Sequence, residues 1–315
     1  MKIVRYTSED KSKWDSFVSE SKNATFLLMR DYMDYHSDRF VDFSLMCVDD
    51  NNNIVTLLPA NRVDNTLYSH QGLTYGGWIT PTKGFTATTM LEVWQLMTAF
   101  LAEQGIEHLI YKAIPHIYHR YPAEEDIYAI FRAGGAFRSS LISTTLPLDG
   151  SRLRFNENAR RGMKSAQANG VTVAQSNNFE AYWTVLSQML QEQYNTTPVH
   201  SLDEIKLLQS RFPDNIKLYT ARHNDEVVAG VVIFFTHTVA HAQYIAASTK
   251  GKQLKALPLL FDHIITYECG DCRYFDFGTS NEDGGQFLNK GLITQKTGMG
   301  GRGIAYNTFD IEIKG

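Results

Sequence analysis

Three cysteines in 315 residues, Cys47, Cys269 and Cys272, are too few and too unevenly spaced to staple a secreted domain, so a reducing compartment is expected. No stretch approaches the roughly 18 to 20 consecutive apolar residues that cross a bilayer. The opening MKIVRYTSEDKSKW lacks the apolar core of a secretory leader. Both absences point to a cytoplasmic protein with no membrane span. Neither sign of charge dominates: 30 Lys and Arg against 34 Asp and Glu leave −4, which argues against a surface devoted to coating nucleic acid, although a local basic groove is compatible. What is present is ordinary globular material, 43% apolar and 20% charged. A chain of this length is expected to divide into two domains of about 150 residues.

Two stretches repeat one order of elements. In the first half, KWDSFVSES (Lys13 to Ser21) predicts a helix and FSLMCVDDNNNIVTLL (Phe43 to Leu58) a hairpin turning on Asp49 to Asn53. In the second, the helix is Phe179 to Tyr194 and the hairpin Ile216 to Phe235, turning on His223 to Glu226. A longer amphipathic helix follows in each, Thr88 to Gln104 and Ala256 to Glu268, with Gly105 and Gly270 beside their ends. Short apolar strands come next, Glu107 to Ala113 and Arg273 to Gly278. A further helix leads to Phe131–Gly134 in one half and Gln295–Gly298 in the other, and final strands close at Leu141 to Leu148 and Ile304 to Ile313. LPLDGSR supplies proline, aspartate and glycine for a boundary near Leu148 to Arg154. This order is that of a mixed α/β sheet, duplicated.

The second half carries a family resemblance. NARRGMKSAQANGVTV (Asn158 to Val173), YFDFGTS (Tyr274 to Ser280), LNK (Leu288 to Lys290) and QKTGMG (Gln295 to Gly300) occur in an order that resembles Fem-type peptidoglycan-bridge aminoacyltransferases. Those proteins have an acidic strand, a helix and a Phe-Lys-x-x-Phe-Gly signature. Gln295 and Met299 stand where the signature has aromatics, and no heptad-patterned helical arm is present. The resemblance implies two tandem GNAT-like domains, residues 1–150 on the acceptor side and 151–315 binding the donor and carrying catalysis. It also implies transfer of an acyl or aminoacyl group to an amine of a cell-envelope precursor, amino sugar or peptide. Acyl-coenzyme A and aminoacyl-tRNA are the implied donors, and the missing arm weakens the tRNA alternative.

Acyl transfer needs the reactants held in line, donors to a developing oxyanion and a proton acceptor. The donor turn is placed at STKGKQLK, after the strand Val239 to Ala247. There Ser248, Gly251 and Gln253 offer backbone and Lys250, Lys252 and Lys255 charge, although the usual coenzyme A fingerprint is absent and a solvated lysine loop is the alternative. Lys296 is the residue the resemblance singles out, as a point charge for substrate or else a surface lysine favoured at a helix C-terminus; Arg302 has the same two readings. Asp276, on an apolar strand, and Glu282, beyond its C-terminal end, are candidates for the general base, with a carboxylate paired in the core and a helix-start acid as their respective alternatives. Tyr306 is a candidate to protonate the leaving group, although with sixteen tyrosines in the chain a structural tyrosine is the favoured alternative. Arg160, Arg161 and Lys164 form the densest basic cluster, with Arg160 and Lys164 on one helical face, for a phosphorylated substrate or as a solvated surface. Asn289, within LNK, joins the substrate-binding set through the resemblance. Tyr75 and Trp78, in LYSHQGLTYGGWIT, are assigned to an acceptor wall, with ordinary core aromatics as the alternative.

No metal site is expected. Cys269-Gly-Asp-Cys272 has its counterpart in Gln104-Gly-Ile-Glu107, which marks it as a helix-to-strand junction. His116, His119, His237 and His241 read as structural or surface histidines. Rival readings are an O-acyltransferase and a non-catalytic binding protein on the same scaffold. The oligomeric state is open.

Overall fold

The structure, a computed structural model, describes residues 1–314. The chain forms two compact units: Met1–Leu141 together with the chain from Ala305 on, and Ile142–Ile304. The sequence-based division at 150 thus differs at two places. Residues 142–150 fall in the second unit, and the far end of the last strand, Arg302–Glu312, belongs to the first.

In the first unit, the strands Asn61–Val63, Thr66–Tyr68, His108–Lys112 and the 308–312 segment lie side by side. All these neighbours are antiparallel except Thr66–Tyr68 with His108–Lys112. The crossover between that parallel pair is the helix Ala87–Glu103, capped by Thr86 and burying Met90, Val93, Trp94, Met97 and Leu101 at helical spacing. The expected first hairpin forms as Leu45–Val48 and Ile54–Leu58, but joins Lys2–Arg5 in a separate three-stranded sheet.

The second unit repeats the scheme with longer strands. Its sheet runs from the 142–147 segment through Tyr274–Thr279, Val239–Ala247, Glu226–Phe235 and Ile216–His223 to Thr172–Ser176. Again one pair is parallel, Val239–Ala247 with Tyr274–Thr279, joined through the helix Ala256–His263 and its π-helical continuation Ile264–Glu268. Asn224 and Asp225 take left-handed φ at the tip of the 216–235 hairpin, the backbone that two-residue hairpin turns require.

The core on one face gathers Val231, Ile233, Ala240, Ala242, Phe275 and Phe277 from the sheet, with Leu260, Phe261 and Ile264 from the crossover helix. Each of the valine, leucine, isoleucine and phenylalanine side chains among them contributes about 1.5–3 kcal/mol on full burial. The helix Glu157–Ala168 packs on this crossover helix, where a Cβ added at Gly162 would meet Lys255 and Pro258 at ordinary contact distances of 3.4–3.7 Å. The helix Leu202–Arg211 has no place in the sequence-based order of elements; its signal is the Ser201–Glu204 capping box, which forms.

Candidate functional site

The parallel pair of the second unit is a ladder of three residues: Val239 faces Tyr274, Ala240 faces Phe275 and His241 faces Asp276. Beyond that point the strands part. Val239–Ala247 stays paired with Glu226–Phe235 through a bulge between Ala242 and Tyr244, while Gly278 turns at φ +77. A fork opens at the C-terminal ends of two parallel strands, the edge at which α/β sheets receive ligands.

Asp276 lies at the fork with no exposed surface. Its Oδ1 accepts from the Ser143 hydroxyl, from Thr145 Oγ1 at 3.1 Å and from the Gly278 amide at 3.1 Å, and its Oδ2 faces His241 Nδ1 at 2.9 Å. A buried carboxylate contacted on both oxygens is held as an internal anchor and has no surface from which to meet a reactant. The expectation of Asp276 as general base is therefore corrected: it is fully buried, with both oxygens bonded within the fold. His241, read from the sequence as a structural or surface histidine, is its partner.

Lys296 is not a surface lysine. It is 4% exposed on the helix Lys290–Gly298, and its Nζ donates to the carbonyls of Gly278 at 2.8 Å and Thr279 at 2.7 Å. Burial pushes its ammonium down to about 8, against an opposing pull from Asp276. Two of its three N–H groups are taken, leaving one for a carbonyl or phosphate oxygen. On the strand segments flanking the fork, Gln243 Oε1, Ser280 Oγ and Thr144 Oγ1 are buried without hydrogen-bond partners among the described residues.

The other candidates scatter. Glu282 is exposed on a short hairpin and accepts from Asn289 Nδ2 at 3.0 Å. Asn289 caps the Lys290–Gly298 helix by accepting from the Leu292 amide, so its side chain serves the helix start. Arg302 is exposed and donates to the Gly301 carbonyl at 2.7 Å. Tyr306 falls in the first unit, buried, with its hydroxyl 2.8 Å from that of Tyr118; this corrects its placement in the donor half.

Tyr75 and Trp78 are 2% and 0% exposed, so they are core residues, not a solvent-facing wall. The glycines beside them serve internal packing: a Cβ on Gly76 would meet the Ser69 carbonyl at 1.9 Å, and one on Gly77 the Tyr111 hydroxyl at 2.6 Å.

The 248–255 turn is also tighter than a phosphate cradle requires. Ser248 Oγ accepts from the Gly251 amide and donates to the Val228 carbonyl, and a Cβ on Gly251 would stand 2.1 Å from that same carbonyl. Gly251 is there for close packing on the sheet. Lys250 pairs with Glu226 at 2.7 Å, while Lys252, Gln253 and Lys255 are exposed. Arg160, Arg161 and Lys164 are all exposed on the Glu157–Ala168 helix and have no ion-pair partner among the described residues.

The cysteines are poor nucleophiles. Burial raises the thiols of Cys47 to about 11, Cys269 to about 12 and Cys272 to about 11. Among the described residues no group of three or more His, Cys, Asp or Glu is placed to hold a metal, and no helix is long and apolar enough to cross a membrane.

Residues 153–283 match the Acetyltransferase (GNAT) domain family. No curated protein matches the chain by sequence. Among solved structures, that of FemX is similar at TM-score 0.68 and 11% identity, covering 99% of this chain and 97% of the other. L-PGS from Bacillus licheniformis is similar at 0.62 and 12%, covering 99% and 93%. A tandem GNAT protein from the clavulanic acid biosynthesis pathway is similar at 0.54 and 10%, covering 100% and 99%. At these identities the structures share a fold. The chain has the mixed α/β fold of tandem GNAT and Fem-type proteins, and its matched domain indicates an acyltransferase.

Proposed function

We propose that this chain is an N-acyltransferase that joins an activated acyl or aminoacyl group to an amine by direct attack, with both substrates bound at once. The observation that carries the reading is the fork between Val239–Ala247 and Tyr274–Thr279, inside the matched GNAT domain, with a buried ammonium and a buried carboxylate at its root. Backbone groups freed where two strands part supply donors and acceptors to an extended substrate arm. Lys296, with one N–H to spare, stabilises the oxygen that gains charge as the amine attacks. Holding two reactants in line supplies up to about 7–11 kcal/mol of the barrier reduction.

The donor is an acyl-coenzyme A or an aminoacyl-tRNA. Both present phosphates, which the exposed Arg160, Arg161 and Lys164 would meet together with Lys252 and Lys255. The acceptor is an amine of a cell-envelope precursor, amino sugar or peptide. Support for an envelope substrate comes from the fold shared with FemX and with a putative lysylphosphatidylglycerol synthetase domain from Agrobacterium fabrum. We assign the first unit to the acceptor and the second to the donor.

A second reading, a scaffold that binds a ligand without turning it over, is favoured by one observation: Gly251 and Lys250 of the 248–255 turn are engaged in packing and an ion pair. Thermal melting of the full chain with acetyl-coenzyme A, a longer acyl-coenzyme A and alanyl-tRNA separates the two. A melting temperature that climbs with donor concentration, accompanied by transfer to glucosamine or a lysine peptide, supports the enzyme. A climb without transfer supports the binding protein, and no response to any donor removes the donor site.

A further inference from the structure

The two parallel pairs end alike and continue differently. In the first unit Thr66 faces His108, Leu67 faces Leu109 and Tyr68 faces Ile110, a ladder of three rungs like that of Val239–Ala247 with Tyr274–Thr279. Counted from the last rung, Lys112 holds the place that Gly278 holds in the second unit. We propose that residues 69–76 are a built-in occupant of the first unit's fork, latched there by Lys112, so that the chain takes up one donor molecule, in the second unit. The inference rests on the acyltransferase reading above.

After its ladder the second unit's strand keeps to its antiparallel neighbour. Val239–Ala247 pairs with Glu226–Phe235 as far as Ala247 opposite Ala229, and the Ser248 amide then donates to the Val228 carbonyl. The chain thereby runs away from Tyr274–Thr279. In the first unit it turns the other way. The Ser69 amide donates to the Ile110 carbonyl at 2.9 Å, Ser69 Oγ accepts from the Lys112 amide at 2.7 Å, and the Gly76 amide donates to the Lys112 carbonyl at 3.0 Å. Three backbone groups along this edge of His108–Lys112, which an extended ligand would otherwise meet, are bonded to the chain itself.

Lys112 also closes the segment with its side chain. Its Nζ lies 3.4 Å from the His70 carbonyl, 3.1 Å from that of Gln71 and 3.0 Å from that of Leu73, so each N–H of the ammonium has an acceptor within one turn. Bonds from a charged donor are about twice as strong as neutral ones, and here three converge. The turn takes left-handed backbone at His70, φ +69, a conformation that a residue other than glycine keeps only where its surroundings hold it. Behind the turn the fit is tight: Gly76 has no room for a Cβ beside the Ser69 carbonyl, and the Trp78 amide donates to the Tyr111 hydroxyl at 2.7 Å. A tethered segment presents an effective concentration of about millimolar or more, which a donor free in solution at lower concentration does not displace.

At the matching place in the second unit the Gly278 carbonyl is met by a side chain from a helix, Lys296, at 2.8 Å. Each unit thus sets one ammonium at the end of its parallel pair, with opposite uses. Lys296 keeps an N–H to spare, while Lys112 commits all three to carbonyls of the segment it holds.

Hydrogen exchange of the full chain, followed residue by residue, tests the latch. Without ligand the Ser69, Gly76 and Lys112 amides should exchange roughly 100-fold or more slowly than those of the exposed Lys83 and Gly84. Equal rates overturn the proposal. Lys112→Met keeps the stem and removes the ammonium, so exchange at Gly76 should quicken by roughly 10- to 100-fold while the Ser248 amide is unaffected. An unchanged Gly76 rate overturns Lys112 as the latch; should the variant unfold, the wild-type rates decide. Titration of the wild type with acetyl-coenzyme A, and separately with alanyl-tRNA, should saturate at one donor per chain with Gly76 exchange unaltered. Saturation at two, or faster exchange at Gly76 once donor is bound, overturns the proposal and leaves the acyltransferase reading standing. Binding of neither donor overturns both.

Discussion

Lys296 Nζ sits 2.8 Å from the Gly278 carbonyl, and that bond ties the Lys290–Gly298 helix to the end of the Tyr274–Thr279 strand. Replacing Lys296 with alanine strands two buried carbonyls and opens a space the length of the lysine stem. We expect Lys296→Ala to lose about 1–3 kcal/mol for the unmet carbonyls, a drop in melting temperature of about 2–4 °C per kcal/mol. The wild-type advantage should also grow with alkali. Between pH 8 and 10.5 the unfolded chain holds a proton that folded Lys296 has released, so folding is favoured as pH rises through that window. Melts of both proteins at pH 7 and 10 check it.

Acid should weaken the first unit. Burial, aided by His36, Arg30 and Lys112, drives the His70 imidazole down to about 3, and burial drives His119 to about 4, from an ordinary 6.5. Their contribution is complete above pH 6.5 and is lost as pH falls toward those values, because only the unfolded chain takes up the protons. Each costs about 1.4 kcal/mol per pH unit across that window. Urea midpoints at pH 7 and 4.5 should separate for the wild type and separate less for His119→Gln.

Gly251→Ala tests why the 248–255 turn has its shape. The new methyl would stand 2.1 Å from the Val228 carbonyl, and backbone would have to move, at a cost of about 1–3 kcal/mol. A clear fall in the denaturant midpoint is expected; an unchanged midpoint would mean the turn is not seated on the sheet as described.

The triple substitution of Arg160, Arg161 and Lys164 by serine should behave oppositely. These side chains are exposed, so stability should stay within about 0.5 kcal/mol. Affinity for acetyl-coenzyme A or alanyl-tRNA should fall, and its dependence on salt should flatten. Binding isotherms at two salt concentrations measure both.

The duplication was legible because it is written in periodicity and turn chemistry. Met90 to Leu101 and Leu259 to Ile265 announce their helices by spacing, and Asn224–Asp225 announces its hairpin by tolerating left-handed backbone. The site was legible only in part. Asp276 and Lys296 stand out through the order of motifs, but the partners that hold them do not, since Ser143 and Thr145 reach Asp276 from a distant segment and Lys296 reaches the Gly278 and Thr279 carbonyls from another element. Tyr75, Trp78 and Gly76–Gly77 misled for the same reason: aromatics mixed with glycines look alike whether the close approach is to a ligand or, as with Ser69 and Tyr111, to the protein itself. His241 carried no local signal, because its meaning lies in the residue on the next strand.

The return of the last strand to the first unit bears on how the chain can be made and cut. Thr308 to Glu312 pair with Lys112 to His108, so the opening unit lacks a strand of its sheet until synthesis has passed residue 312. One scission near residue 141 would liberate no autonomous half. Fragment work must instead excise 142–304 and bridge the gap, or graft the terminal strand behind the first segment.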